Sequence, residues 1–194
     1  WHEIRNAYRT RRILTGTLDG IEQTAGGKTL ATVSFRGFRI AIPIREMLVL
    51  ENRMPSGRAY ADYMNRLSRI LGTMLGAEID FIVKGIDSTT HSAIASRREA
   101  MLRKRQTFYL GKDVSGNPYI YPGRLVEARV IAVAEKVLRV EAFGIECAIF
   151  ARDLSWQWVS DVRDLYSVGD RVLVRVQEIS GEDAEHLSIR ADIR

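Results

Sequence analysis

The residues with the greatest chemical reach in this chain are cations and aromatic rings. Arg103-Lys104-Arg105 is an unbroken basic run, and Arg36 and Arg39 flank Gly37-Phe38. Guanidinium and ammonium groups so clustered can hold phosphate oxygens, although a charge run is also what a solvated helix face looks like. Trp156 and Trp158 flank Gln157. At that strand-like spacing one ring is expected to pack inward and the other to face solvent as a partner surface. Nucleophilic and metal chemistry find little support. His2, His91 and His186 are too far apart to form a ligand motif, and Cys147 stands alone and reads as a small core residue. Glu182, Asp183 and Glu185 lie in a predicted turn with no histidine- or glycine-rich frame around them. No phosphate-loop, nucleophile-elbow, paired-histidine or dinucleotide-binding pattern occurs. The expectation is a chain without catalysis, cofactor or metal.

The elements that position these residues must fit in 194 residues, 46% of them hydrophobic, which allows one large domain or two small ones. A single cysteine excludes an intramolecular disulfide and suggests a reducing, cytoplasmic setting. No stretch approaches the roughly 18 apolar residues of a spanning helix, so no membrane partner is expected. Trp1 in first place predicts numbering that starts inside a longer gene product. The net charge of +5 is unevenly spread: residues 1–97 carry +5, residues 98–123 carry +3, and residues 124–194 carry −3. A polyanion is drawn to the first two segments and mildly repelled by the third.

Apolar alternation predicts strands at 14–18, 28–35 and 38–42, with Gly26-Gly27 and Arg36-Gly37 as turns and Pro43 as a stop. Tyr60, Tyr63, Met64, Leu67, Leu71 and Met74 recur at helical spacing, giving an amphipathic helix over 58–73. Strands follow at 78–86 and 91–95. Ser96-Arg97-Arg98-Glu99 has the spacing of a capping box, opening a basic helix to about Gln106. Residues 107–123 are dense in glycine and proline and read as a connector. Strands are predicted at 126–133, 137–143, 145–150, 171–179 and 186–190, with a loop and short helical turns over 152–166. Five short strands with an insert between the third and fourth is the order of a small OB-type barrel.

The chain also repeats itself. A shift of 107 residues pairs Gly37-Phe38-Arg39-Ile40-Ala41-Ile42-Pro43-Ile44-Arg45-Glu46-Met47 with Gly144-Ile145-Glu146-Cys147-Ala148-Ile149-Phe150-Ala151-Arg152-Asp153-Leu154. A shift of 93 pairs Gly76-Ala77-Glu78-Ile79 and Val83 with Gly169-Asp170-Arg171-Val172 and Val176. The difference falls where the first copy carries its longer helix, as two copies of one fold require. In the second copy, Ala128-Arg129-Val130, the run from Phe143 to Ser155, Tyr166-Ser167-Val168-Gly169-Asp170-Arg171-Val172 and Leu187-Ser188-Ile189-Arg190 resemble the S1-type RNA-binding domain. The chain is similar to bacterial proteins with tandem repeats of this kind, which resemble ribosomal protein S1. The resemblance implies a mainly β chain of two five-stranded OB-type barrels: a divergent domain over 1–97 with an inserted helix, a basic helix and connector over 98–123, and an S1-type domain over 124–194.

The family's binding platform carries two aromatics on strand two, a histidine ending strand three, and an aspartate and arginine near strand five. By position these places fall on Lys136, Arg139, Phe150, Ser180 and Ala184, so Phe150 alone keeps a ring there. Phe143 shares side-chain parity with Arg139 and Glu141; it and Phe150 read either as stacking surfaces or as half-buried strand residues. In the first domain the same face falls on Thr32, Arg36, Arg39 and Pro43, with Lys28 nearby, while Phe35 and Phe38 are expected to point into the barrel. Arg97, Arg98, Arg103, Lys104 and Arg105 extend this basic surface along the connecting helix, and Arg175 joins it in the second domain. The resemblance thus implies non-catalytic binding of single-stranded RNA, chiefly through the basic first domain, in translation or RNA metabolism. Two alternatives stand beside it: a docking module whose acidic second domain, or Trp156 and Trp158, meets a ribosome or another protein, and an accessory domain of a nuclease.

Overall fold

The computed structural model describes residues 1–49 and 55–194, which divide into two units, Trp1–Ala100 and Met101–Arg194. The first unit opens with helix α1 (His2–Thr10), followed by β1 (Ile13–Gln23), β2 (Thr29–Phe35), β3 (Phe38–Pro43), α2 (Arg58–Gly72), β4 (Glu78–Asp87) and β5 (Ser92–Ser96). The strands close in the order β1-β2-β3-β5-β4, the closure being a short parallel pairing of Ile40 with Ala93 and Ala41 with Ile94. This is the OB order. Inward positions supply Leu18, Val33, Ile40, Ile42, Ile79, Phe81 and Val83 to the core. Gly16 is where the strands pass closest, since a Cβ there would lie 2.7 Å from the Ser34 carbonyl oxygen and from Val33. Helix α2 lies against β1 and buries Leu67 and Leu71. Helix α1 has no counterpart in the sequence reading; it buries only Ile4 and Ala7, too sparse an apolar stripe to show as a period.

In the second unit β6 (Leu125–Val133), β7 (Val137–Ala142), β8 (Ile145–Phe150), β9 (Arg171–Ser180) and β10 (Ser188–Asp192) form a sheet in the order β10-β9-β6-β7-β8. The edges β8 and β10 come side by side. Helix α3 (Arg97–Arg105) crosses the unit boundary and passes into a π turn over Gln106–Leu110. The segment expected to be a connector is built into this second core, to which it contributes Tyr109 and Ile120. The Tyr109 hydroxyl donates to the Ala142 carbonyl, and burial pushes its pKa well above the ordinary phenol value. Ser96 does cap α3, its hydroxyl accepting from the Glu99 N–H at 3.1 Å, while the Glu99 carboxylate accepts from Lys84 Nζ at 2.7 Å.

The two units share backbone features at the turns. The β2–β3 turn places Arg36 at φ 48° and Gly37 at φ 85°; the β7–β8 turn places Phe143 at φ 49° and Gly144 at φ 94°. Two consecutive positive φ values are what a tight hairpin turn of matching twist demands. Leu18 exchanges hydrogen bonds with Gly76 and Ala77 at 2.8 and 2.9 Å, as Val130 does with Gly169 and Asp170 at 3.0 and 2.8 Å. Each third strand ends in one 3₁₀ turn, Ile44–Glu46 in the first unit and Ala151–Asp153 in the second.

Candidate nucleic-acid interface

The first unit does not present the bare cationic face its sequence suggests. Arg36 sits in the turn rather than on a strand, with Nη1 2.8 Å from Glu3 of α1. Arg39, opposite Ser34 on β3, donates to the Glu22 carboxylate. Both guanidinium groups are mostly exposed, yet each arrives with a carboxylate that cancels much of its field. Lys28 is exposed just ahead of β2, its N–H accepted by Thr24 Oγ1 at 3.2 Å. Thr32 is buried, and Phe38, expected inside, is half-buried against Trp1 (5.6 Å) and His91 (6.3 Å). Phe35 does point inward.

Two arginines expected on the solvated side of the connecting helix are internal. Arg97 is fully buried and donates to the Met47 carbonyl at 2.8 Å. Arg105 is buried, its Nε donating to the Gly144 carbonyl at 2.7 Å and its Nη1 to the Ala184 carbonyl at 3.0 Å. An arginine so placed satisfies backbone acceptors and offers nothing to a phosphate. Arg103 is exposed, and Lys104 lies 5.8 Å from the Phe143 ring.

In the second unit the predicted positions separate. Arg139 is tied to Glu146 at 2.8 Å. Phe143, being in the turn, escapes the strand parity and packs at 4.7 Å on Phe108. Arg175, opposite Leu125 on β9, donates to the Gly123 carbonyl at 2.9 Å, well away from β8 in the strand order. Cys147 is buried as expected, and burial pushes its thiol up to about 11. Lys136 and Phe150 do come together. They line an open groove of about 290 Å³ with Ala151, Arg152, Gln157, Trp158 and Val159.

The groove exists because apolar anchors bracket a polar stretch. Leu154 and Val162 are buried, Val159 packs partly against the same core, and Trp156, Gln157 and Trp158 are held out. The β6–β7 loop acts as a clamp: the Glu135 carbonyl accepts from Val162 N–H at 2.8 Å, the Lys136 carbonyl from Ala151 N–H at 3.0 Å, and Lys136 Nζ donates to the Ser160 carbonyl at 3.0 Å. Asp161 caps the 3₁₀ turn Val162–Asp164, its carboxylate accepting from Arg163 N–H at 2.9 Å and from the Arg163 guanidinium. Those bonds hold its pKa below the ordinary carboxylate value, the Arg163 side chain contributing most. Trp156 and Trp158 are therefore both exposed, at 82% and 86%, contrary to the expected alternation, since no strand forms there to impose one. Lys136 Nζ lies 5.3 Å from the Trp158 ring, the Arg152 guanidinium 5.3 Å from Phe150, and the Arg194 guanidinium 4.5 Å from Trp156. Trp158 and Arg152 carry this groove and were not among the sequence candidates for it; the only sequence signal was the Trp-Gln-Trp run itself.

An OB barrel with one exposed ring at the end of its third strand and another on the loop that follows, each beside a cation, has the arrangement of an oligonucleotide-binding class of domain. Residues 120–190 match the family model described as S1 RNA binding domain, so the second unit is an S1-type RNA-binding domain. No curated protein matches the chain. Among solved structures, one chain of the a/eIF2alpha, aDim2p and rRNA complex from Pyrococcus horikoshii is similar over 39% of this chain and 45% of that one, with 22% identity and a TM-score of 0.35. A multidomain protein with nucleic acid binding domains from Streptococcus pneumoniae is similar over 94% of this chain and 51% of that one, with 10% identity and a TM-score of 0.35. The aligned region spans about half the length of either of those two chains. Among the described residues no helix is long and apolar enough to cross a membrane, and no group of three or more His, Cys, Asp or Glu is placed to hold a metal ion.

Proposed function

We propose that the chain binds single-stranded RNA without cleaving it, in translation or RNA metabolism, and that the second unit supplies the stacking. The observation that carries this reading is the groove in which Phe150 and Trp158 are exposed beside Arg152 and Lys136. Stacking is worth about 1–3 kcal/mol per base, so two rings supply about 2–6 kcal/mol, and the two cations add a salt-dependent attraction for phosphates. Every base has a stacking face, so the groove favours unpaired strands with little sequence preference. The acidic balance of residues 124–194 opposes this attraction, and the basic first unit on the same chain offsets it.

The test is fluorescence anisotropy with a short unstructured oligouridylate, together with gel recovery of the RNA. Replacing Phe150 and Trp158 by alanine weakens binding by about tenfold or more, and Arg152→Gln with Lys136→Gln flattens the log–log salt slope by about 0.7 for each phosphate no longer neutralised. The RNA is recovered whole. Unchanged affinity in the double alanine variant refutes the reading. A second reading, docking to a protein, is favoured by Leu125 and Leu173, which are exposed on neighbouring positions of β6 and β9. That reading predicts no RNA binding even at low salt.

A further inference from the structure

We infer that the first unit has its own stacking site for single-stranded RNA, in which the ring is delivered by helix α2 instead of by a strand. This rests on the reading of the second-unit groove as an RNA platform. The two 3₁₀ turns that end β3 and β8 match in their flanking dihedral angles. Pro43 and Phe150 precede them at φ −55°, ψ 143° and φ −79°, ψ 157°, and Met47 and Leu154 close them at φ −88°, ψ −22° and φ −91°, ψ −33°. Met47 and Leu154 are both buried, which fixes the turns to their barrels in the same way. The second residue of each turn is an arginine, Arg45 and Arg152. In the second unit Arg152 sits over Phe150. Pro43 occupies that place in the first unit and has no ring face to offer. Arg45 nevertheless sits over an aromatic ring, that of Tyr60, at 5.7 Å from the centroid, with Nη2 3.5 Å from the phenol oxygen.

Tyr60 lies in the first turn of α2, two residues after the exposed Arg58. Three residues further on, Tyr63 carries the Arg66 guanidinium at 5.5 Å. One face of the inserted helix therefore offers two half-exposed phenol rings, each beside a guanidinium, and Tyr60 meets the turn that corresponds to the one where the other barrel holds its own ring and cation. The phenol face that the guanidinium leaves open can stack on a nucleobase, and the exposed Arg45 and Arg58 can meet the flanking phosphates. The ring missing from the strand is restored by an element that the second unit does not possess.

The experiment uses the whole chain and an oligouridylate of about 20 nucleotides, with a photoreactive uridine at one position, read by anisotropy and by mapping of cross-linked peptides. Tyr60→Ala and Arg45→Glu each weaken binding by about fivefold or more, Tyr60→Phe retains most of it, and cross-links form on the peptide containing Tyr60 as well as on that containing Trp158. If Tyr60→Ala lowers the melting temperature of the first unit, the exposed Arg45→Glu still reports on binding. Wild-type affinity in both Tyr60→Ala and Arg45→Glu, with binding still weakened in Phe150→Ala and Trp158→Ala, overturns this inference alone. No binding by the unaltered chain overturns both readings.

Discussion

Arg105 separates two views of the basic run most sharply. If it were a phosphate ligand, its removal would weaken RNA binding and leave the fold intact. Its geometry assigns the opposite: two hydrogen bonds from a charged donor, at 2.7 and 3.0 Å, to the carbonyls of Gly144 and Ala184, from a buried side chain. Bonds to charged groups contribute about 1.5–3 kcal/mol each, and removing a buried charged partner costs about 3–5 kcal/mol in all. Against a typical domain stability of about 5–15 kcal/mol, Arg105→Ala removes about a fifth or more of what holds the second unit together. Trp156 and Trp158 report on that unit once Trp1 is replaced by phenylalanine, so urea unfolding followed by indole emission reads the loss directly. Arg105→Lys keeps the charge but not the forked donor, and recovers only part of the stability. An Arg105→Ala protein that unfolds at the wild-type urea concentration and binds RNA less tightly refutes the assignment.

Two further outcomes follow from local geometry. A Cβ on Gly144 would lie 2.4 Å from the Met101 carbonyl oxygen, whereas Gly37 in the matching turn faces open space at a similar positive φ. Gly37→Ala therefore costs about 1 kcal/mol of backbone strain, and Gly144→Ala costs clearly more; equal losses by calorimetry contradict the packing of α3 on that turn. Asp161 is the second case. Its pKa is depressed by Arg163, so its contribution to the tryptophan loop is complete above the ordinary carboxylate value of about 3.9 and is lost as pH falls through the lower folded value. Trp158 emission then stays level from neutral pH to about 5 and changes only below about 4, and Asp161→Asn removes that transition; a midpoint near about 6 is inconsistent with this origin.

Strand order and turns are legible in the sequence because glycine marks them. Gly37 and Gly144 at equal offset predict the two hairpins, and the alternation through Ile40 and Ile42 predicts the inward face of β3. Side-chain roles are less legible wherever a single residue leaves the strand. Phe143 reads as a strand residue by parity, but its φ of 49° puts it in the turn, where parity has no meaning. The Arg103-Lys104-Arg105 run looks like a solvated helix end, yet Met101, Arg105 and Tyr109 follow at four-residue intervals and all three are buried. Helical spacing carries that signal, and the charge of arginine masks it. Arg36 and Arg39 fall on the expected hairpin, but their partners Glu3 and Glu22 lie on α1 and β1, distant in sequence. Long-range pairing of this kind leaves no local trace.

The two barrels also differ in how they are sealed. The first is closed by strand pairing along its whole circuit, while β8 and β10 terminate an open ladder and meet without one. What ties this seam is a pair of amides, those of Ile193 and Arg194, which share the Asp153 carbonyl at 3.0 and 3.2 Å. A seam held by side-chain packing, two bonds to one oxygen and the Arg194–Asp153 ion pair at 3.5 Å parts more readily than a ladder does. The edge amides of the second unit will therefore trade protons with solvent through small local openings, while those of the first wait for wholesale unfolding.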